Sequence, residues 1–224
     1  MNNKVIGNEK DIIFYNDEEG NTKIEVLLQN EDVWLNTEAL AELFSIDRSG
    51  IVRHINNIYK DKYVEKFYLE RPSLKRKDEL IQYFDEFVQY NSDINGSGSL
   101  DKMLEGFTFE QALDRCLNME NKEYAEKFGR CQSKTFLLIR ENDDKIVGAI
   151  NVRWNLTEEM KRFGGNIGYG IRPTERSKGY NKINLYLGLL EAKKIGLDKV
   201  MLDCETSNIA SSKTMASLGG VLDR

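Results

Sequence analysis

The chain changes hydrophobic rhythm several times, and each change marks an element. Near the start, residues 12–15, 23–28 and 32–35 are β-prone runs separated by turn clusters at 16–20 and 29–31. Asn36 or Thr37 can cap a helix in which Leu40, Leu43 and Phe44 share one face, and Ser45-Ile46-Asp47 breaks it. Ile51, Ile55 and Ile58, at i, i+4 and i+7, then predict a second helix over about 48–60. A β-hairpin followed by two short helices joined by a tight turn has helix-turn-helix spacing. The outer face of the second helix carries Arg48, Ser49, Arg53, His54, Asn56, Asn57 and Lys60, donors suited to phosphates and base edges. The plain alternative is a solvated helix face.

After residue 65 the pattern is different. Residues 67–69 read as a short strand before Pro72, and 77–90 as a helix with Ile81, Phe84 and Val88 inside. The run 91–99, Asn-Ser-Asp-Ile-Asn-Gly-Ser-Gly-Ser, is the most linker-like in the chain. It is read as a loop within one domain, because a strand and a helix before it would have no core. A helix is expected over 107–119, and a hairpin over 134–141 and 145–154 about Asn142-Asp143-Asp144. A strand at 166–172, a helix at 180–195, a strand at 199–205 and a helix from Ser207 or Asn208 to Leu218 complete the pattern. That order describes an α/β unit with a mixed sheet flanked by helices.

Charge sharpens the division. The 224 residues carry a net −5, of which 1–65 hold −6 and 66–224 hold +1. Two units, 1–65 and 66–224, are therefore expected, and a chain that coats nucleic acid by bulk positive charge is excluded. No apolar run approaches the roughly 18 residues of a membrane span and no leader-like segment opens the chain, so the expectation is a soluble cytoplasmic protein without membrane partners. Three cysteines without C-x-x-C spacing and the single His54 argue against a disulfide framework, a metal site and most histidine-dependent nucleophile systems.

The candidate chemistry concentrates after Pro173, where Arg176-Ser-Lys-Gly-Tyr-Asn181 leads straight into a helix. A glycine turn at a helix start aims backbone N–H groups outward, and Arg172, Arg176 and Lys178 crowd the same corner, which favours a phosphate group. The alternative is an ordinary basic connection. Neither the Walker pattern nor G-x-G-x-x-G is present.

Two resemblances carry these readings further. Thr22-Lys-Ile-Glu-Val26, Val33-Trp-Leu35, Ala41-Glu-Leu-Phe44, Asp47-Arg-Ser49 and Arg53-His-Ile-Asn-Asn-Ile58 resemble the N-terminal region of the bacterial and prophage-associated RhuM-type virulence proteins. That resemblance implies a DNA-binding helix-turn-helix in 1–65, for which Arg48, Ser49, Arg53, His54, Asn56 and Lys60 of the outer helix face are the candidate contacts.

Residues 66–224 resemble the GNAT (GCN5-related) N-acetyltransferases. Arg176-Ser-Lys-Gly-Tyr-Asn181 fits the family's R/Q-x-x-G-x-G/A pyrophosphate loop. Asn208-Ile-Ala-Ser211 through Gly219 fits the helix that follows, and Gly168-Tyr-Gly-Ile-Arg-Pro173 fits a subgroup of bacterial members. The resemblance implies acetyl-CoA as cosubstrate, an amine acceptor and no metal. It places main-chain groups of Ile171, Arg172 and Pro173 along the pantetheine. The amides of Arg176, Ser177, Lys178, Gly179, Tyr180 and Asn181 would hold the pyrophosphate, and the Asn208 side chain, with Ser211 close by, the pantetheine. Acetyl-CoA would enter a gap between the strands at 166–172 and 199–205.

The sequence also departs from the family. Asn181 stands where Gly or Ala is usual, and Met215 where a tyrosine often acts as general acid. Tyr169 as acid and Glu205 as base are the nearest replacements, while Cys204 reads as a small core residue. The family fold continues past Gly219-Gly220 with two more strands, for which 221–224 leave no room. The expectation is a sheet lacking its last two strands, with an open acceptor side unless a second copy completes it as a homodimer. The competing functional class is a non-catalytic helix-turn-helix regulator carrying a degenerate or truncated acetyltransferase unit, with an inactive fragment as a third reading.

Overall fold

The computed structural model describes residues 11–16, 22–29, 32–34, 37–43, 46–53 and 65–222. The chain forms two compact units, Met1–Glu65 and Lys66–Arg224.

In the first unit, β1 (Asp11–Asn16), β2 (Thr22–Gln29) and β3 (Asp32–Trp34) form an antiparallel sheet in that order, with Ile13 opposite Val26 and Leu27 opposite Trp34. The expected hairpin is thus a three-stranded meander. Helix α1 (Thr37–Leu43) follows, and residues 48–53 are helical. Asp47 starts that helix by accepting from the Ser49 hydroxyl and, at 3.0 Å, from the Gly50 N–H. The Ser49 bond first, and then the Gly50 bond, hold its carboxyl below the usual range.

The second unit is a four-stranded sheet, β4 (Phe67–Glu70), β5 (Gln132–Arg140), β6 (Lys145–Trp154) and β7 (Ile167–Ile171), in sequence order. Every pair is antiparallel, so among the described residues the sheet is not mixed as expected. The parallel member was to be 199–205, and this segment forms no strand. Among the described residues, one backbone bond joins it to the sheet, from Asn166 N–H to Met201 O at 2.7 Å. The Asn166 side chain takes the Met201 N–H at 2.8 Å, which closes the pairing after one residue instead of extending a ladder.

Helices cover both faces, which is why β5 carries the unbroken apolar run Phe136–Ile139 and β6 the run Ile146–Ile150. On one face α2 (Lys77–Gln89) and α3 (Phe109–Asn118) pack Leu80, Tyr83, Phe84, Phe87 and Leu113 against Leu137, Ile139, Ile146 and Ala149. On the other, α6 (Tyr180–Lys194) sets Leu185 and Ala192 against Phe136, Ile150, Val152 and Ile167. The short helices α4 (Lys122–Lys127) and α5 (Glu158–Arg162) and the closing α7 (Ile209–Ser217) complete the unit. Residues 91–99 are packed rather than linker-like, with Ser97 and Ser99 buried.

The inner face of α2 differs from expectation. Ile81, Phe84 and Val88 and the set Leu80, Tyr83, Phe84, Phe87 both fit a helical period and share Phe84. The second set, with two more aromatic rings to bury, faces the core, while Ile81 is 39% and Val88 60% exposed. Leu80→Ala is expected to cost about 2–5 kcal/mol and Ile81→Ala about 0.5 kcal/mol. Urea unfolding of the two neighbouring variants checks the assignment.

Candidate active site

The site is built where β7 ends. The register pairs Gly148 with Ile171 and Asn151 with Gly168, and the Arg172 N–H donates to Val147 O at 2.9 Å. Alternate residues of an antiparallel strand turn their peptide groups to opposite sides. Gly168, Gly170 and Arg172 therefore bond β6, while the peptide groups of Tyr169 and Ile171 face away from it. Beyond them the 3-10 turn Pro173–Glu175 leads into a loop where Ser177 and Gly179 take positive φ of 62° and 80°, and α6 starts at Tyr180. The first N–H groups of a helix lack intrahelical acceptors, and this first turn carries no acidic side chain, so its positive end is not neutralised locally.

A cleft of about 690 Å³ opens along this path. Tyr169, Gly170 and Ile171 form one wall, the loop and the start of α6 one end, Asn208, Ser211 and Thr214 the opposite wall, and Ser92 to Asn95 a rim. The cleft thus lies between β7 and α7. It differs from the expected gap between two strands because 199–205 is not a strand and does not line it.

Of the expected cofactor-binding residues, Ile171, Arg176, Ser177, Gly179, Tyr180, Asn181, Asn208 and Ser211 line the cleft. Arg172, Pro173 and Lys178 do not. Arg172 is buried, its Nε donates to Glu86 at 2.6 Å and its N–H is spent on β6, so neither its charge nor its amide reaches the cleft. Burial would raise the Glu86 carboxyl, but bonds from the Thr174 N–H, Arg172 and the Thr174 hydroxyl outweigh it and hold it low. Pro173 is buried at the start of its turn. Lys178 pairs with Glu175 at 2.8 Å.

Arg176 folds back across the cleft. Its Nε donates to Ile171 O at 3.1 Å, its Nη2 to Ser92 Oγ at 2.7 Å, and its guanidinium lies 5.6 Å from the centre of the Phe87 ring. Asn208 caps α7, its Oδ1 accepting from the Ser211 N–H at 3.0 Å. Asn181 donates to Thr214 Oγ1 at 3.4 Å and so ties α6 to α7.

Tyr169 and Ser211 share a hydroxyl–hydroxyl bond of 2.7 Å inside the cleft. Burial pushes the Tyr169 phenol up, opposed only in part by Ser211, so it keeps its proton near neutrality. Glu205 is exposed, takes a 3.3 Å bond from Ser207 Oγ and does not line the cleft. Met215 turns the other way, into an apolar cluster with Leu189, Val200, Leu202 and Leu218.

Sequence reasoning passed over Glu175. Its side chain is 4% exposed and accepts from Arg140 at 2.8 Å, Lys145 at 2.6 Å and Lys178 at 2.8 Å. Burial alone would raise this carboxyl, but hydrogen bonds from Lys145, Lys178 and Arg140 outweigh it and pull it down to about 2. A lone acid among the three cations Arg172, Arg176 and Lys178 was the available signal. Ser92, Asn95 and Thr214 were also missed, because the loop 91–99 was read only as a connection.

In the first unit, Arg48 donates to Glu38 at 2.8 Å and Ser49 to Asp47, while Arg53 is exposed. His54, Asn56, Asn57 and Lys60 lie outside the described residues. Among the described residues no group of His, Cys, Asp and Glu is arranged to hold a metal ion, and no helix is long and apolar enough to cross a membrane.

The cleft joins an outward-facing strand edge to a helix that starts at a glycine. Residues 105–221 match the acetyltransferase (GNAT) domain model, and the chain belongs to that family. Among curated proteins none matches the chain. It is similar in structure to the ribosomal-protein-S5-alanine acetyltransferase of Vibrio fischeri, at 20% identity over 70% of this chain and 82% of that one, with a TM-score of 0.48. It is also similar to glucosamine-6-phosphate N-acetyltransferase of Arabidopsis thaliana, at 19% identity over 71% and 95% of the two chains, TM-score 0.42. A third is the microcin C7 self immunity acetyltransferase MccE in complex with acetyl-CoA and AMP, at 15% identity over 69% and 78%, TM-score 0.44.

Proposed function

We propose that the second unit is an acetyl-CoA-dependent N-acetyltransferase. The observation that carries this reading is the continuity of the cleft, from the start of α6 past the peptide groups of Tyr169 and Ile171 to the Tyr169–Ser211 hydroxyl pair. The helix start and the Ser177–Gly179 backbone suit the pyrophosphate of acetyl-CoA, and the outward peptide groups of β7 suit its amide-bearing pantetheine arm. Arg176 now bonds the Ile171 carbonyl, so the arm enters by exchanging with that guanidinium.

Acetyl-CoA supplies an activated acetyl thioester. The protein holds it and brings the acceptor amine alongside, so catalysis is mostly positioning. The amine nitrogen bonds to the acetyl carbon, the carbon–sulfur bond breaks, the amine gives up a proton and the departing thiolate takes one. Tyr169, neutral and in the cleft, is the proton donor, and Ser211 orients its hydroxyl. Glu205 lies outside the cleft lining, so no base role is assigned to it.

Calorimetry of the intact chain with acetyl-CoA tests the reading, and absence of binding would overturn it. Tyr169→Phe is expected to lower kcat about 10²-fold with little change in acetyl-CoA affinity. An unchanged kcat would remove Tyr169 from the mechanism.

A further inference from the structure

On the face of the sheet covered by α3, a second, polar cavity of about 320 Å³ lies among the 3-10 segment Leu100–Glu105, α3, the start of β5, the end of β6 and α5. Its walls carry Lys102, Arg115, Arg130 and Arg153 against two acids, Asp101 and Glu159. Lys102 is paired with Glu105 at 2.6 Å, and Asp101 accepts from Ser97 Oγ at 2.8 Å. Among the described residues, no carboxylate forms an ion pair with Arg115, Arg130 or Arg153.

Two of these arginines are held in place without an anion. Arg115 is stacked on Phe128, 4.3 Å from the ring centre, and its Nε is buried with no hydrogen-bond acceptor among the described residues. Arg153 Nε donates to Asn151 Oδ1 at 2.8 Å and its Nη1 to Gly164 O at 3.0 Å, which fixes the guanidinium plane. All of these acceptors are neutral. Burial, with Arg130 adding to it, holds the Arg153 guanidinium below its ordinary value. A half-buried guanidinium without a counter-charge is costly, and an oxyanion is the ligand that relieves the cost.

The position of this cavity relates it to the cleft. The third guanidinium nitrogen of Arg153, Nη2, lies over Gly168, where a Cβ would come within 2.5 Å of it. Gly170, two residues further along β7, lines the cleft, and there the Asn95 carbonyl lies over the strand, 2.7 Å from where a Cβ would stand. Two strand residues span about 7 Å. The cationic cavity and the cleft thus approach the same strand at positions two residues apart.

We infer that this cavity is the acceptor's anion subsite, and that the acceptor is a small amine bearing a carboxylate or phosphate, bound by Arg115 and Arg153. The inference rests on the acetyltransferase reading for the reacting end of the acceptor but not for the anion-binding end.

Calorimetry of the full chain without acetyl-CoA uses two matched pairs, 4-aminobutyrate against butylamine and O-phosphoethanolamine against ethanolamine. The anionic member of at least one pair is expected to bind at least tenfold more tightly, and which pair shows it separates carboxylate from phosphate. Arg115→Gln and Arg153→Gln should each weaken that binding at least tenfold, with the acetyl-CoA Kd within twofold of the parent. Arg153 also holds the Gly164–Gly165 turn, so Arg115→Gln, which breaks no side-chain hydrogen bond among the described residues, is the cleaner variant. Equal binding within both pairs, or anion binding unaffected by Arg115→Gln, overturns the inference. Acetyl-CoA binding without an anionic preference would leave the proposed function standing and remove the subsite. Anionic amine binding without acetyl-CoA binding would keep the subsite and remove the function.

Discussion

Gly179→Trp is expected to abolish acetyl-CoA binding while leaving the chain folded. Gly179 caps α6 with φ +80°, and a Cβ built there meets no atom within 4 Å. A side chain at this position therefore displaces nothing in the core. Its direct cost is the left-handed backbone, about 1 kcal/mol for a residue with a Cβ. Gly179 also lines the cleft at its anionic end, so an indole there occupies the space through which the pyrophosphate must approach the backbone N–H groups. Gly179→Ala separates the two effects. It carries the same backbone strain with only a methyl group in the cleft, and should weaken binding by about tenfold rather than eliminate it. Calorimetry gives the affinities and circular dichroism the fold. Undiminished binding in Gly179→Trp would place the pyrophosphate elsewhere.

The strength of that expectation follows from where sequence and structure agree. The hairpin about residues 142–144, the strand before Pro173 and the helix after Gly179 were legible because each depends on local chemistry: a turn, a proline and a glycine at a helix start. The Asn208 cap was legible for the same reason, and its Oδ1 accepts from the Ser211 N–H. What was not legible depends on long-range pairing. Residues 199–205 have the alternation of a strand, but a strand also needs a neighbour to continue its ladder, and here the pairing ends at Met201. Arg172 reads as one more cation of the loop, and only Glu86, 86 residues away in sequence, turns it into a buried structural pair. The face of α2 was ambiguous for a related reason. Two periodic sets overlapped, and the sheet beneath chose between them.

Glu175 shows the same dependence, and its replacement gives a large loss of stability that depends on pH. Its partners come from three places: Arg140 at the end of β5, Lys145 at the start of β6 and Lys178 in the loop itself. One carboxylate thus fastens the loop to the hairpin below it. Its folded value of about 2 lies below the 4.5 of an ordinary glutamate, so the native chain binds this proton less readily than the unfolded chain. The resulting stabilisation, about 3 kcal/mol, is fully present above pH 4.5 and is lost as pH falls from there towards 2. Glu175→Gln should remove a comparable amount at pH 7, because the amide keeps one acceptor but leaves the cations of Arg140 and Lys145 without the buried countercharge. Arg140 retains Asp143 at 2.7 Å, which limits the loss. Lys178 has 47% of its side chain exposed, so Lys178→Ala should cost under about 1 kcal/mol. Urea titrations between pH 2 and pH 7 should show the parent losing stability over the acid limb while Glu175→Gln is flatter there by the same few kcal/mol. Equal slopes in the two proteins would mean that the carboxylate is not held low by its three cations.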